Sequence, residues 1–226
     1  MGETVQLSSA RDGFRFEAYR AVPTDARRGG LVICHAIWGV TPHLRELADS
    51  YAEDGYEVLV PSLFDRFQTG FAERDTDPAL YARQNGFAEA THWGADVLDL
   101  VQAAIDALKP PVFAVGFCFG GTVAWLAASH CTGLSAVAAY YGGQIVDYLD
   151  AAPKVTTHLH LGKRDELIPP ADVEAIRAAH PDLPIYLYDA GHAFVAPNGF
   201  HEDSARLSRL RTLALFARSG GGRGES

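Results

Sequence analysis

One cysteine stands between two glycines where an apolar run ends, in the segment Gly116-Phe-Cys118-Phe-Gly120. The apolar residues 112–117 predict a buried strand, and the apolar pattern over 119–129 predicts a helix. A strand, a tight glycine-flanked turn and a helix form the nucleophile elbow, where serine is more usual than cysteine. The positive end of such a helix stabilises a thiolate. The segment therefore predicts an acyl-transfer enzyme in which Cys118 is the nucleophile.

An acid and a base follow two later strands of the chain. Asp165 comes after the predicted strand 155–161, and His192 comes after the predicted strand 184–188. The chain order of cysteine, aspartate and histidine is that of the α/β-hydrolase fold. We expect His192 to carry the proton and Asp165 to hold its imidazole in one tautomer.

The oxyanion of an acyl-transfer reaction needs hydrogen-bond donors. We expect one from the backbone N–H of Phe119, directly after the nucleophile. The second should come from the N–H of Ile37, in the loop after the predicted strand 31–35. Several further side chains are candidates for contact with substrate, although aromatic residues near such a sheet are often core residues instead. These candidates are His35, Trp38, Phe64, Tyr81, Arg83 and Phe194.

Short apolar strands alternate with helical patterns along the chain. Besides those above, strands are predicted at 6–8, 14–19, 56–60 and 136–140, and helices at 41–53, 78–86, 88–108, 171–179 and 202–217. This alternation predicts an α/β fold with a mostly parallel sheet and helices on both faces. Ligands of such sheets bind at the carboxyl ends of the strands, where all the candidate chemistry lies. We predict one domain over residues 1–218 and a flexible, glycine-rich tail over 219–226.

The composition narrows the classes of function. The 226 residues carry a formal net charge of −9, which argues against a nucleic-acid partner. No apolar run is long enough to span a membrane, and the polar first 13 residues do not resemble a signal peptide. Three cysteines without paired spacing suggest reduced thiols and a cytoplasmic location. A metal site at His158 and His160 would lack a third ligand, so we expect neither metal nor cofactor.

These motifs together resemble the dienelactone hydrolase (carboxymethylenebutenolidase) family. The resemblance implies a seven- or eight-stranded α/β-hydrolase sheet without a separate lid domain, and hydrolysis of a small ester or lactone without a cofactor. It matches Cys118, Asp165 and His192 to the family triad, and Ile37 and Phe119 to its oxyanion donors. The matching segments span nearly the whole chain: 35–40, 55–66, 116–121, 140–142, 162–169 and 191–194.

Two positions depart from the family pattern. Ala36 stands where well-studied members have a glutamate that helps to deprotonate the cysteine, and Ala196 stands where they have an arginine for the substrate carboxylate. Arg74 and Arg83 are candidates for a second carboxylate-binding arginine. The departures favour a neutral or differently shaped ester or lactone as substrate. We also expect the protein to be a monomer or weak dimer. The alternative is a catalytically silent, ligand-sensing or redox-sensing member of the fold with a reactive cysteine.

Overall fold

An eight-stranded sheet forms the centre of the computed structural model, which describes residues 2–72 and 86–222. The strands lie in the order β1-β2-β4-β3-β5-β6-β7-β8. The pairs β1–β2 and β2–β4 are antiparallel, and all other pairs are parallel, which confirms the predicted sheet. Their bounds are β1 Glu3–Ser8, β2 Arg15–Ala21, β3 Gly29–Cys34, β4 Tyr56–Pro61, β5 Val112–Phe117, β6 Leu134–Tyr140, β7 Thr156–Gly162 and β8 Ile185–Tyr188.

Helices cover both faces of the sheet. Every residue of the central strands β3 and β5 is buried, as expected for strands that are enclosed on two sides. The α-helices are α1 Pro42–Glu53, α2 Asp99–Asp106, α3 Phe119–His130, α4 Pro170–Ala179 and α5 Glu202–Phe216. Helix α1 packs on β2 and β4, α5 packs on β6, and α3 packs on β5 and β6.

The start of α1 follows the local sequence closely. Thr41 is the N-cap, its side-chain oxygen accepts a hydrogen bond from the Leu44 amide, and Pro42 occupies the first turn. The missing N–H of proline costs nothing at this position, because the first amides of a helix have no intrahelical acceptor. The cap therefore determines where α1 begins, and α1 supplies one wall of the cavity described below.

The predicted helix over 88–108 is interrupted. Residues 86–90 are helical, His92 has extended backbone angles, and the chain continues as a π-helical segment, Trp93–Leu98, before α2. The Asp96 carboxylate accepts hydrogen bonds from the His92 amide and ring, which ends one helix and starts the next. This side-chain competition with the helical hydrogen bonds is invisible to hydrophobic periodicity.

The end of the described chain stays close to the body of the protein. The chain continues past α5 through a kink at Ser219 and Gly220, which have non-helical backbone angles, and Gly221 is buried near Phe113. The mobility predicted for residues 219–226 stays a prediction. Within residues 2–72 and 86–222, no helix is both long and apolar enough to cross a membrane.

Candidate active site

The turn between β5 and α3 has the geometry of a nucleophile elbow. Cys118 has φ 56° and ψ −118°, a left-handed conformation that side chains rarely adopt. A Cβ on Gly116 would overlap the Gly120 carbonyl, and one on Gly120 would overlap the Cys34 carbonyl. Both glycines are therefore required by close backbone contacts, and the strained turn holds the Cys118 side chain at the carboxyl end of the sheet.

Cys118 lines a cavity of about 240 Å³ at that end of the sheet. His192 lines the same cavity and follows β8 by four residues, and Asp165 follows β7 by three. The three predicted catalytic residues thus follow the carboxyl ends of β5, β7 and β8. Parallel strands end at one edge, so residues far apart in the chain meet there.

Asp165 and His192 are joined by a short, buried hydrogen bond. The Nδ1 of His192 lies 2.8 Å from the Oδ2 of Asp165, whose carboxylate is inaccessible to solvent. The other carboxylate oxygen of Asp165 accepts the Leu167 amide at 2.9 Å, which fixes its orientation. A carboxylate held in this way orients the imidazole and stabilises its protonated form.

The environment of His192 favours the imidazolium. Burial opposes the charge, but the hydrogen bond to Asp165 and the interaction with Cys118 outweigh it and raise the pKa of His192 to about 9. The Nε2 of His192 is buried and has no hydrogen-bond partner among the described residues. Cys118 is therefore close enough to affect the imidazole electrostatically, while no hydrogen bond joins Sγ and Nε2 in this conformation.

The raised pKa predicts a pH-dependent contribution to stability. His192 binds its proton more tightly when folded, so its stabilisation is complete below about pH 6.5 and is lost as the pH rises through about 9. Relative to a His192→Gln variant, the native protein should lose on the order of 2 kcal/mol of unfolding free energy across this window. Urea unfolding at pH 6 and pH 9.5 measures the difference. An equal change in both proteins would contradict the buried ion pair.

The predicted oxyanion donors belong to two different parts of the chain near the cavity. Phe119 is the first residue of α3, where backbone amides have no intrahelical acceptor. Ile37 lines the cavity, in the loop after β3. The oxyanion role of both amides stays a prediction.

The other residues predicted to contact substrate fall into two groups, those that line the cavity and those that do not. Trp38 lines the cavity, whereas His35, Phe64 and Phe194 are fully buried and do not line it. The structure therefore places these three side chains in the core and not on the cavity wall. Tyr81 and Arg83, together with Arg74, lie outside the described residues.

His35 has a structural role. Its Nδ1 donates to the Ala36 carbonyl at 2.6 Å, and its Nε2 accepts from the Leu63 amide at 2.9 Å. Burial lowers the pKa of His35 to about 4, against the smaller opposing effect of the Ala36 hydrogen bond, so the ring is neutral. His35 therefore joins the loop after β3 to the loop after β4, and the edge of its ring contacts Phe64.

Phe64 and Phe194 support the site from behind. Phe64 packs against Phe119, with 5.2 Å between ring centroids. Phe194 packs against Tyr141 at 5.3 Å. Phe64 therefore supports the residue after the nucleophile, while Phe194 supports a residue of the cavity wall.

Tyr141 is a site residue that the sequence reasoning missed. It follows β6 with φ 38°, lines the cavity, and packs edge-on against His192 with 5.0 Å between ring centroids. Burial, and then the charge of Cys118, raises the pKa of Tyr141 well above its usual value, while the Val195 amide donates to its hydroxyl. Tyr141 lies in the segment 140–142 that matches the family, but its backbone angle and its contact with His192 are not visible in the sequence.

The two positions that depart from the family pattern both lie on the cavity wall. Ala36 and Ala196 line the cavity together with Cys118. In the described part of the chain, the lining contains no lysine, arginine, aspartate or glutamate side chain. The polar members are Thr41, His43, Cys118, Tyr141, His192 and Asn198, and the remainder is apolar or backbone. The described part of this wall therefore offers no arginine or lysine to a substrate carboxylate.

The histidines of β7 are separate from this site. His160 contacts the Tyr188 hydroxyl through Nδ1 at 2.7 Å and Thr212 of α5 through Nε2 at 3.4 Å, and both histidines are buried. Across the two described ranges, no group of three or more histidine, cysteine, aspartate or glutamate side chains is arranged to hold a metal ion.

Comparison with known proteins agrees with this architecture. The model of the dienelactone hydrolase family matches residues 16–219. The chain is 32% identical over 232 residues to a putative carboxymethylenebutenolidase of Salmonella typhimurium, covering 92% of this chain and 84% of that protein. It is 28% identical over 222 residues to a carboxymethylenebutenolidase of Pseudomonas sp. strain P51, with 92% of each chain covered.

A solved structure shows the same fold. The putative dienelactone hydrolase from Klebsiella pneumoniae superposes with a TM-score of 0.78 at 26% identity, covering 96% of this chain and 99% of that one. The sheet order, the elbow and the matched family model agree, and the fold is that of the α/β-hydrolases. The chain therefore belongs to the dienelactone hydrolase family and is a hydrolase.

Proposed function

We propose that the protein hydrolyses a small, uncharged ester or lactone through Cys118, His192 and Asp165, with a thioester intermediate on Cys118. The observation that carries this proposal is the Asp165–His192 pair, which presents a buried Nε2 in the same cavity as a cysteine on a strained elbow. A nucleophile beside a base that is itself oriented by a third group is the general arrangement for covalent acyl transfer.

The reaction follows from these roles. The Cys118 thiolate attacks the carbonyl carbon, and the oxyanion receives hydrogen bonds from the amides of Ile37 and Phe119. The C–O bond then breaks, and His192 gives its proton to the departing alkoxide, which leaves a thioester. Water attacks the thioester and transfers a proton to His192, which releases the carboxylic acid and restores the thiolate–imidazolium pair.

The cavity wall supports an uncharged substrate. Ala36 and Ala196 are apolar where family members carry a carboxylate and a guanidinium, and the described lining has no formal charge beyond the catalytic pair. Among the described lining residues, a substrate carboxylate would lose hydration without gaining an arginine or lysine partner, which is unfavourable. A cytoplasmic location and a monomeric or weakly dimeric state remain predictions.

A burst assay tests the proposed intermediate. Mixing the enzyme with p-nitrophenyl acetate should release one equivalent of p-nitrophenol before the steady state, and quenched protein should carry one acetyl group on Cys118. Alkylation of Cys118 by iodoacetamide should remove the burst. Turnover with neither a burst nor an acyl adduct, even in single-turnover experiments, would contradict the thioester mechanism.

A silent or sensing role is the second candidate. It is favoured by Ala36, which offers no carboxylate to help deprotonate Cys118. Such a protein would react with iodoacetamide and be oxidised by peroxide at Cys118, but it would release no p-nitrophenol catalytically. The two candidates therefore differ in turnover and not in thiol reactivity.

Restoring a carboxylate at position 36 should weaken the resting nucleophile. Ala36→Glu would place a negative charge in the cavity that contains Cys118, and a like charge disfavours the thiolate. Alkylation of Cys118 by iodoacetamide at pH 7 should slow by about threefold to tenfold. Ala36→Gln is the matched control, since it adds the same bulk without the charge. Equal rates in the two variants would show that charge at position 36 does not affect the thiol.

A further inference from the structure

A second apolar cavity lies beside the catalytic one, between α1 and α5. Its volume is about 380 Å³. The two cavities share the side chains of His43, Leu47, Phe117 and Val195. Because the same four side chains line both spaces, the two cavities are direct neighbours. We call it the α1–α5 groove.

Helix α1 forms one side of the groove along a single face. His43, Leu47 and Tyr51 are spaced by four residues, which places them above one another on the helix. At 1.5 Å per residue, these three positions span about 12 Å. The groove is thus long enough for an extended chain of several carbon atoms.

Helix α5 forms the other side, and one arginine closes the far end. Ala205 lines the groove but not the catalytic cavity. Arg209 bridges the helices, since it donates hydrogen bonds to Ser50 of α1 and to Asp54 at 2.7 Å. At the side, the ring of Phe200 is 60% exposed and forms part of the rim. Glu202 and Arg206 of α5 also line the groove and are exposed to solvent. Its wall is otherwise mostly apolar, and Arg209 is paired with Asp54.

We propose that the α1–α5 groove binds the acyl chain of the substrate, so that the enzyme prefers esters of unbranched, medium-chain carboxylic acids. This inference rests on the proposed function. The acyl group is the part that stays bonded to Cys118, and Phe117, which precedes Cys118, lines both cavities. The leaving alcohol must instead lie next to Nε2 of His192, which protonates it.

A chain-length series tests this proposal. The probes are p-nitrophenyl acetate, butyrate, hexanoate and octanoate. Burial of each methylene should raise kcat/KM by about fourfold. Even if the chain is only partly buried, the ratio of kcat/KM for the octanoate to that for the acetate should exceed about 30. In Ala205→Trp, the indole ring would fill the groove, and the ratio should fall at least about tenfold. A flat or falling series in the native enzyme would overturn the proposal.

The control places the same bulk on the outside of α5. The Leu210 side chain is 53% exposed and does not line the groove, so Leu210→Trp should keep the native ratio. An equal fall in both tryptophan variants would show a general effect on α5 and overturn the assignment. Octyl acetate tests whether the groove binds the alcohol instead. Faster hydrolysis of octyl acetate than of short-chain acetates, without faster hydrolysis of p-nitrophenyl octanoate than of p-nitrophenyl acetate, would contradict binding of the acyl chain.

A binding measurement separates this inference from the proposed function. Octanamide should slow alkylation of Cys118 by iodoacetamide more than acetamide does, and Ala205→Trp should remove the difference. Protection without any ester hydrolysis would support the groove and contradict the proposed function. Ester hydrolysis through Cys118 without chain-length preference or protection would support the proposed function and overturn the groove assignment.

Discussion

Replacing Cys118 with alanine should lower kcat/KM for p-nitrophenyl acetate by about 10⁴-fold or more and abolish the acetylated intermediate. The reason is that the thiolate forms the bond on which both half-reactions depend. The variant should fold, because alanine occupies the same backbone conformation and Cys118 is only partly buried. Steady-state rates and mass spectrometry of quenched protein measure the two effects.

The other cysteines provide the control. Cys34 and Cys131 are buried, and burial raises the pKa of the Cys131 thiol to about 12, so neither is a good nucleophile. Cys131→Ser keeps a group that can donate to the Leu98 carbonyl and should retain the native rate and the burst. Full esterase activity in Cys118→Ala would refute covalent catalysis at this residue.

Removing His192 should lower kcat/KM for p-nitrophenyl acetate about as much as removing Cys118 does. The double variant should have the same kcat/KM as either single variant. The two residues act as one unit, so removing either one already abolishes the covalent reaction, and the losses in rate do not add. Asp165→Asn should leave a larger residual rate, with a loss of about 10³–10⁴-fold. It should also lower the pKa of His192, because the hydrogen bond to the carboxylate is the first of the effects that raise it.

Asp189→Asn is the matched control for Asp165→Asn. Asp189 is three residues before His192, but its side chain is 74% exposed and pairs with Arg164 at the surface. The control should keep both the rate and the pH profile. A native rate in Asp165→Asn, or the same loss in Asp189→Asn, would show that Asp165 does not orient the catalytic base.

Local sequence was sufficient for the elbow and for the mostly parallel pairing of the sheet. Gly116 and Gly120 are informative because nothing larger fits beside the Gly120 and Cys34 carbonyls. The alternation of apolar strands with helices predicts parallel pairing, which in turn predicts that Asp165 and His192 meet near Cys118. These features depend on chain neighbours and on a general rule of topology, so they can be read from residue order.

The sequence by itself thus determined the fold, the family and the three residues that we expect to carry the reaction. Only the tertiary structure decided which neighbours reach the cavity. His35, Phe64 and Phe194 have the right types and chain positions, yet they are buried behind the wall, while Tyr141 and α1 form it. The physical reason is that side-chain accessibility depends on packing between elements distant in the chain, such as α1 and the loop after β8. No local pattern encodes that packing, and the α1–α5 groove exists only because of it.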